Sequence, residues 1–186
     1  MPPSISTRGA AQRNPNTMSP EAISPKLILA PIDFSDFSHH ALDVAADVAS
    51  RFAAELLLVH VVPAIPNLPE GVSIFKEGEY DQSLHEQAAT RLSNLAAGLA
   101  AKNLRVRTEV GTANDVGMEL VRFAENDRAD MIVIATHGMT GWRRIAFGSV
   151  AKKVVEEAAC PVLVLRAKEA DQAVDSKARS TYGATA

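Results

Sequence analysis

The stretch that decides the fold reads MIVIATHG and occupies residues 131–138. Its first five residues are apolar without a break, whereas a strand with one solvated face alternates apolar and polar positions. An unbroken apolar run of this length is typical of a strand covered on both faces of a parallel sheet. We therefore predict a central strand from Met131 to Ala135, followed by a loop that begins at Thr136.

Similar short runs recur along the chain. The five predicted strands are Lys26–Pro31, Glu55–Val61, Arg105–Val110, Met131–Ala135 and Val162–Leu165. Only the third strand alternates, with Val106, Thr108 and Val110 at every second position, so we predict that it lies at an edge of the sheet.

Segments of helical period separate these strands. Their apolar stripes consist of Ala41, Leu42, Ala45, Val48, Ala49 and Phe52, then Leu84, Ala88, Leu92, Leu95 and Leu99, then Leu120, Val121 and Ala124, and finally Val150, Val154, Val155 and Ala158. Ser35 or Asp36 is the candidate cap of the first helix. Strands that alternate with helices predict an α/β fold, with an open, twisted, five-stranded parallel sheet and helices on both faces.

Composition and charge narrow the class of protein. Of the 186 residues, 47% are hydrophobic and 22% are charged, which suits one globular domain. The net charge of −3 lacks the basic excess of proteins that bind nucleic acid, so no nucleic-acid partner is expected. No apolar run approaches the roughly 18 residues that span a bilayer, so we expect no membrane segment. The single Cys160 cannot form an internal disulfide, and the expected location is the reducing cytoplasm.

The ends of the chain have a different composition. Residues 1–25 are rich in Pro and Ser and are predicted to be a disordered tail, with an organelle transit peptide as the alternative reading. Residues 167–186 are predicted to be a flexible tail. The folded domain is therefore expected to span residues 26–166.

Candidate functional residues follow the strands, because ligands of open parallel sheets bind at the carboxyl ends of the strands. The segment after the fourth strand contains Gly138, Gly141 and Gly148, and Gly148-Ser149 begins a helix. Glycines allow close backbone approach, and a helix N-terminus attracts anions, so this segment is a candidate phosphate cradle. The alternative is that these glycines are turn residues and that Ser149 is only a helix cap.

Other polar residues near the strand ends have simpler readings. Asp33 is either a ligand contact or a cap of the turn into the first helix. His60 and His137 are read as structural polar residues. Cys160, between a helix and a buried strand, is read as inert core.

The motifs together resemble the universal stress protein family. Its loop, written G-x2-G-x9-G-(S/T), matches at Gly138, Gly148 and Ser149, with Ala135 at the place of the first glycine. The ending CPVLVL at residues 160–165, the opening LAPIDFS at residues 29–35 and the HV pair at residues 60–61 match as well. The resemblance covers residues 26–166.

The resemblance implies a strand order of 3-2-1-4-5 and a bound adenine nucleotide, which is ATP or else AMP or a cyclic nucleotide, with Mg²⁺ accompanying the phosphates. The implied nucleotide contacts are Pro31, Ile32 and Asp33 beside the adenosine, Val61 near the adenine, Ile134, Ala135, His137, Gly138, Met139, Thr140 and Gly141 around the ribose and phosphates, and Gly148, Ser149 and Val150 at the phosphates. It also implies a homodimer through the edge strand Val162–Leu165.

Two rival functions stay open from the sequence. One is a slow ATP hydrolase, although the chain lacks a G-x-x-x-x-G-K-[ST] loop and an H-E-x-x-H motif, so we expect no dedicated enzyme. The other is a nucleotide-free dimeric interaction protein of the same family, against which the retained Gly138, Gly148 and Ser149 argue. The favoured function is a nucleotide-binding regulator of a stress response.

Overall fold

Strands and helices alternate regularly in the computed structural model, which describes residues 24–64, 77–136 and 148–166. In chain order the elements are β1 (Leu27–Pro31), α1 (Asp36–Phe52), β2 (Glu55–Pro63), α2 (Glu77–Ala100), β3 (Arg105–Ala113), α3 (Val116–Asn126), β4 (Met131–Ala135), α4 (Ser149–Glu157) and β5 (Val162–Leu165). The predicted tails lie outside the described residues, apart from Ser24 and Pro25.

All five strands form one parallel sheet in the order β3-β2-β1-β4-β5. This confirms the predicted fold class, the predicted strand order and the edge position of β3. Two strands are longer than the sequence indicates, because β2 and β3 stay paired up to Pro63 and Ala113. The mutual hydrogen bonds of the two backbones extend these strands into residues that carry no strand pattern of their own.

The sheet separates two hydrophobic cores. Leu29, Leu57 and Ile132 face helices α3 and α4 on one side. Ile28 and Leu56, one position away in their strands, face α1 and α2 on the other side. Burying one such Leu or Ile side chain contributes about 1.5–3 kcal/mol, and both faces of the central strands contribute. This double burial is the physical reason why the central strands read as unbroken apolar runs.

Two helix starts are closed by their own side chains. The hydroxyl oxygen of Ser35 accepts a hydrogen bond from the N–H of Ser38 (3.2 Å), and the carboxylate of Asp115 accepts one from the N–H of Met118 (3.0 Å). Ser35 rather than Asp36 is therefore the cap of α1. Each of these bonds satisfies a backbone donor that the helix itself cannot pair.

The predicted stripe of α4 is partly wrong. Val154 is fully buried, but Val155 is 45% exposed and Ala158 lies beyond the last helical residue. Successive helical residues are rotated by about 100° around the helix axis. When Val154 faces the sheet, the next residue, Val155, therefore points toward solvent. Within the described residues, no helix is both long enough and apolar enough to cross a membrane.

Two helical glycines offer a matched test of packing. A Cβ on Gly117 of α3 would lie 2.7 Å from the Cβ of Lys153 on α4, whereas a Cβ on Gly98 of α2 would meet nothing within 4 Å. Gly98→Ala should therefore raise the free energy of unfolding by about 0.5–1 kcal/mol through helix propensity. Gly117→Ala should lower it by about 1–3 kcal/mol, because α3 and α4 are forced apart. Urea unfolding measures both, and a stabilised Gly117→Ala variant would contradict the close approach of the two helices.

Candidate functional site

The sheet opens between β1 and β4 at the carboxyl ends of the strands. β1 pairs with β2 up to Pro31, and β4 pairs with β5 up to Ala135, but the register between β1 and β4 ends at Leu29 and Ile132. Beyond these residues β1 leads into α1 on one face, and β4 leads toward α4 on the other. The result is a crevice at the point where the winding of the chain reverses.

A cavity of about 360 Å³ occupies this crevice. Nine of the predicted contact residues line it: Pro31, Ile32, Asp33, Val61, Ile134, Ala135, Gly148, Ser149 and Val150. These residues come from four different elements and their ends, and only the fold brings them together. The other predicted contacts, His137, Gly138, Met139, Thr140 and Gly141, lie outside the described residues.

Eight further lining residues were not predicted: Ser38, Val59, His60, Pro63, Val116, Leu120, Thr136 and Ala151. Five of them are apolar, and of these Leu120 belongs to a helical stripe and Val59 to a strand that the sequence assigns to the core. One signal was available, because Val59 lies two positions before Val61 and therefore on the same face of β2. Val116 and Leu120 had no such signal, since the approach of α3 to β2 is a tertiary contact.

Helix α4 begins at the cavity and differs from α1 and α3 at its start. Its cap residue is Gly148, and no side chain closes the helix start in the described part of the chain. Ser149 is exposed and is the first helical residue, so the reading of Ser149 as the cap is wrong. The first N–H groups of α4, together with the positive end of the helix dipole, therefore border the cavity without a capping side chain.

Gly148 is needed by the protein's own backbone. Its N–H donates to the carbonyl oxygen of Thr136 over 2.7 Å, and a Cβ on Gly148 would lie 3.0 Å from that same oxygen. Thr136 is buried, and its N–H donates to the carbonyl oxygen of Leu165 (2.8 Å). The two ends of the loop between β4 and α4 are thus held together at the end of the sheet.

Asp33 has the turn role and also lines the cavity. Its Oδ1 accepts hydrogen bonds from the N–H of Ser35 (3.0 Å) and from the hydroxyl of Ser35 (2.6 Å). These bonds hold the carboxylate against the turn that leads into α1. Both readings of Asp33 from the sequence therefore agree with its position.

His60 is anchored by one ring nitrogen. Its Nδ1 lies 2.6 Å from the carbonyl oxygen of Ile32, and since a carbonyl only accepts, Nδ1 carries the hydrogen. This contact agrees with the structural reading of His60. The residue nevertheless belongs to the lining of the cavity.

Ala135, which replaces a glycine of the family loop, lies at the end of β4. Ile132 and Ile134 face the α3–α4 core, and Met131 and Val133 face the α1–α2 core. By this alternation the methyl group of Ala135 points to the side of α1, away from the start of α4. Strand geometry therefore keeps this methyl group clear of the open helix start.

Metal-ligating side chains and the thiol of Cys160 are the remaining candidates for chemistry in the described residues. Among the described residues, no group of three or more His, Cys, Asp or Glu side chains is placed to hold a metal ion. Cys160 is half-buried, and burial raises the pKa of its thiol, so little reactive thiolate forms at neutral pH. This agrees with the reading of Cys160 as unreactive.

The fold and the crevice define the class: a doubly wound α/β domain with an open helix start at its switch point. The chain belongs to the universal stress protein family, whose family model matches residues 25–166. Universal stress protein MJ0531 of Methanocaldococcus jannaschii is 35% identical over 144 residues, which cover 76% of this chain and 82% of that protein.

Solved structures agree with this assignment. The structure of hypothetical protein MJ0577, also of Methanocaldococcus jannaschii, superposes with a TM-score of 0.67 and 30% identity, covering 77% of this chain and 97% of that one. A universal stress protein of Archaeoglobus fulgidus in complex with dAMP shares the fold, with a TM-score of 0.52, 22% identity and coverage of 76% and 98%.

The contact between Gly148 and Thr136 predicts that Gly148 contributes to the stability of the fold and that its neighbour Ser149 does not. Gly148→Ala should lower the free energy of unfolding by about 1 kcal/mol, because alanine is a poor cap and its Cβ crowds the Thr136 carbonyl. Ser149→Ala should leave stability within about 0.5 kcal/mol, as is usual for exposed side chains away from special features. Urea unfolding of both variants checks this, and equal stabilities would contradict a structural role for Gly148.

Proposed function

We propose that this protein binds ATP, or a related adenine nucleotide such as AMP or a cyclic nucleotide, in the crevice between β1 and β4. We further propose that it acts as a nucleotide-dependent regulator in a stress response of the cytoplasm. The observation that carries the proposal is the start of α4, which opens onto the cavity without a capping side chain in the described residues.

The phosphate end of the ligand belongs at this helix start. The N–H of Gly148 is bonded to the Thr136 carbonyl oxygen, so the donors that remain at the helix start are the N–H groups of Ser149, Val150 and Ala151. The helix end adds a partial positive charge of about +0.5 of an elementary charge. Gly148, Ser149 and Val150 all line the cavity at this point. The hydroxyl of Ser149 is exposed and adds one more donor. Among the described lining residues there is no Lys or Arg, and the N–H groups at the start of α4 are the donors that this part of the lining offers to phosphate.

The apolar part of the cavity lining suits a nucleoside. Val59, Val61 and Ile134 provide an apolar wall against which a flat base can pack. Asp33 brings a carboxylate to the rim, and carboxylates accept hydrogen bonds from ribose hydroxyls. An apolar wall and an open helix start in one cavity support a ligand with an aromatic base and an anionic tail.

Mg²⁺ enters this proposal as a companion of the triphosphate. The described residues contain no group of side chains placed to hold a metal ion, which agrees with an ion bound mainly by phosphate oxygens and water. The ion would neutralise part of the phosphate charge. We propose binding rather than dedicated catalysis, and slow hydrolysis is the alternative that released phosphate would reveal.

We also propose that two copies pair through β5. The carbonyl oxygens of Pro161 and Leu165 accept hydrogen bonds from the N–H groups of Ile132 and Thr136. Because successive strand residues alternate, Val162 and Val164 turn their N–H and C=O groups to the open edge of the sheet. An apolar edge of this kind supports antiparallel pairing with a second copy, whereas Arg105 and Arg107 place charges on the opposite edge strand, β3.

Nucleotide binding can be tested at Ser149 without harming the fold. Ser149→Asp adds a carboxylate at the first helical position, where it favours the helix dipole, so stability should be kept or raised. The same carboxylate should repel phosphate and abolish binding of Mg-ATP in calorimetric titration. Ser149→Ala should weaken binding by about 5- to 100-fold, because it removes one hydrogen bond to a charged group.

The matched control is Ser93→Asp, which adds the same charge on the exposed face of α2. It should bind Mg-ATP as tightly as the parent protein. A parent protein that binds neither ATP, AMP nor a cyclic nucleotide would contradict the proposal and favour the nucleotide-free alternative.

The dimer is tested by removing one backbone donor. Val164→Pro deletes an N–H that points to the open edge and leaves the bonds to β4 intact, so light scattering should show a monomer where the parent shows a dimer. Val164→Thr keeps the N–H and the branched shape, and it should remain a dimer. A monomeric parent at micromolar concentration, or a dimeric Val164→Pro variant, would overturn pairing through β5.

A further inference from the structure

Three side chains stack beside the cavity, one from α2, one from β2 and one from the turn between β1 and α1. The guanidinium carbon of Arg91, on α2, lies 3.7 Å from the centroid of the Phe34 ring. The Phe34 ring, in the turn between β1 and α1, lies 4.7 Å from the ring of His60, on β2, at an angle of 39°. We call Arg91, Phe34 and His60 the rim stack.

Phe34 has a backbone conformation that a bulky side chain rarely adopts. Its φ is +63°, in the left-handed region that favours glycine. A residue of this size keeps such a conformation only where its surroundings impose it. Here the surroundings are the ring contacts of Phe34 itself and the turn that Asp33 and Ser35 close beside it. The turn is thus held by its side-chain contacts and not by its local preference.

The stack acts on the residues that line the cavity. His60 donates from Nδ1 to the carbonyl oxygen of Ile32, and Ile32 also donates from its N–H to Val59 (2.8 Å). Ile32 and Asp33 line the cavity, whereas Phe34 and Arg91 do not. The stack therefore reaches the proposed site in two ways: through His60, which itself lines the cavity, and through the peptide between Ile32 and Asp33.

Arg91 links helix α2 to the turn at Phe34. Arg91 is exposed, and among the described residues its guanidinium makes a contact with Phe34 and no ion pair. Its neighbour Leu92 is fully buried and anchors α2 to the sheet. A cation placed over an aromatic face is attracted by the ring quadrupole. Arg91 thus connects the docked helix α2 to the turn that carries Asp33.

We infer that Arg91 and Phe34 are positioning residues for the proposed nucleotide site: through His60 they hold Ile32 and Asp33 at the cavity rim and couple helix α2 to ligand binding. This inference rests on the proposed function. Two residues that do not line the cavity, Arg91 and Phe34, then contribute to the affinity for the nucleotide. A substitution on the exposed face of α2 then changes that affinity.

Phe34→Gly is the most direct test, since glycine accepts a positive φ while the ring is removed. It should remain folded, because the relief of the positive φ offsets part of the lost packing of the ring against the α1–α2 core. It should weaken Mg-ATP binding by about tenfold, as expected from the loss of a ring pair and a cation contact. Phe34→Tyr keeps the ring and should bind like the parent. If the ring had only a packing role, Phe34→Gly would lower the melting temperature and leave affinity unchanged.

Arg91 is tested with a matched control at the far end of α1. Arg91→Ala should weaken Mg-ATP binding by about two- to fivefold, and Arg91→Lys should retain most of the affinity. Arg51→Ala removes another exposed arginine, from the last turn of α1 and about 20 Å along the helix from the rim. It should leave the affinity for Mg-ATP unchanged.

The outcomes separate the inference from the proposal on which it rests. A parent that binds Mg-ATP, together with Phe34→Gly and Arg91→Ala variants of unchanged affinity, would overturn the inference and leave the proposed function standing. A parent that does not bind any adenine nucleotide would overturn both. Weaker binding in both variants, with normal affinity in Phe34→Tyr and Arg51→Ala, supports the inference.

Discussion

The pairing of β1 with β4 is the constraint on which the rest of the structure depends. The two strands share a short register that ends at Leu29 and Ile132. Up to these residues the two strands belong to one continuous sheet with a core on each face. Beyond them β1 leads into α1 on one face and β4 leads toward α4 on the other face, so the two strands no longer pair. The cavity is therefore a direct result of the strand order and not an added feature.

The same junction decides how α4 begins. The carbonyl oxygen of Thr136 accepts a hydrogen bond from the N–H of Gly148, so the end of β4 and the start of α4 are bonded to each other. A side chain larger than hydrogen at Gly148 would crowd that oxygen. Gly148 thus brings the helix start close to the strand end, and the same feature leaves the helix without a capping side chain. Structural need and proposed ligand binding therefore coincide at one residue.

The two sides of the crevice are built on different principles. On the side of α4, the described cavity border consists of the backbone at the helix start, with no capping side chain. On the side of β1, side chains determine the shape, because Asp33 bonds to Ser35 and His60 bonds to the Ile32 carbonyl. The turn at Phe34 carries a left-handed residue that its neighbours hold in place. The rim near Asp33 is consequently the part of the site most dependent on distant contacts.

The sequence by itself determined the element order and the central strands, through unbroken apolar runs and helical stripes. These signals are local because double burial constrains neighbouring residue types. The resemblance of its motifs to the universal stress protein family implied the strand order and nine of the lining residues. The tertiary structure decided what depends on elements far apart in the chain. It extended β2 and β3 beyond their patterns, turned Val155 to solvent and made Gly148 rather than Ser149 the cap. It also added Val116 and Leu120 to the cavity wall and placed Arg91 on Phe34. Those contacts join residues whose own segments favour no particular partner, so only the packing of the helices against the sheet could select them.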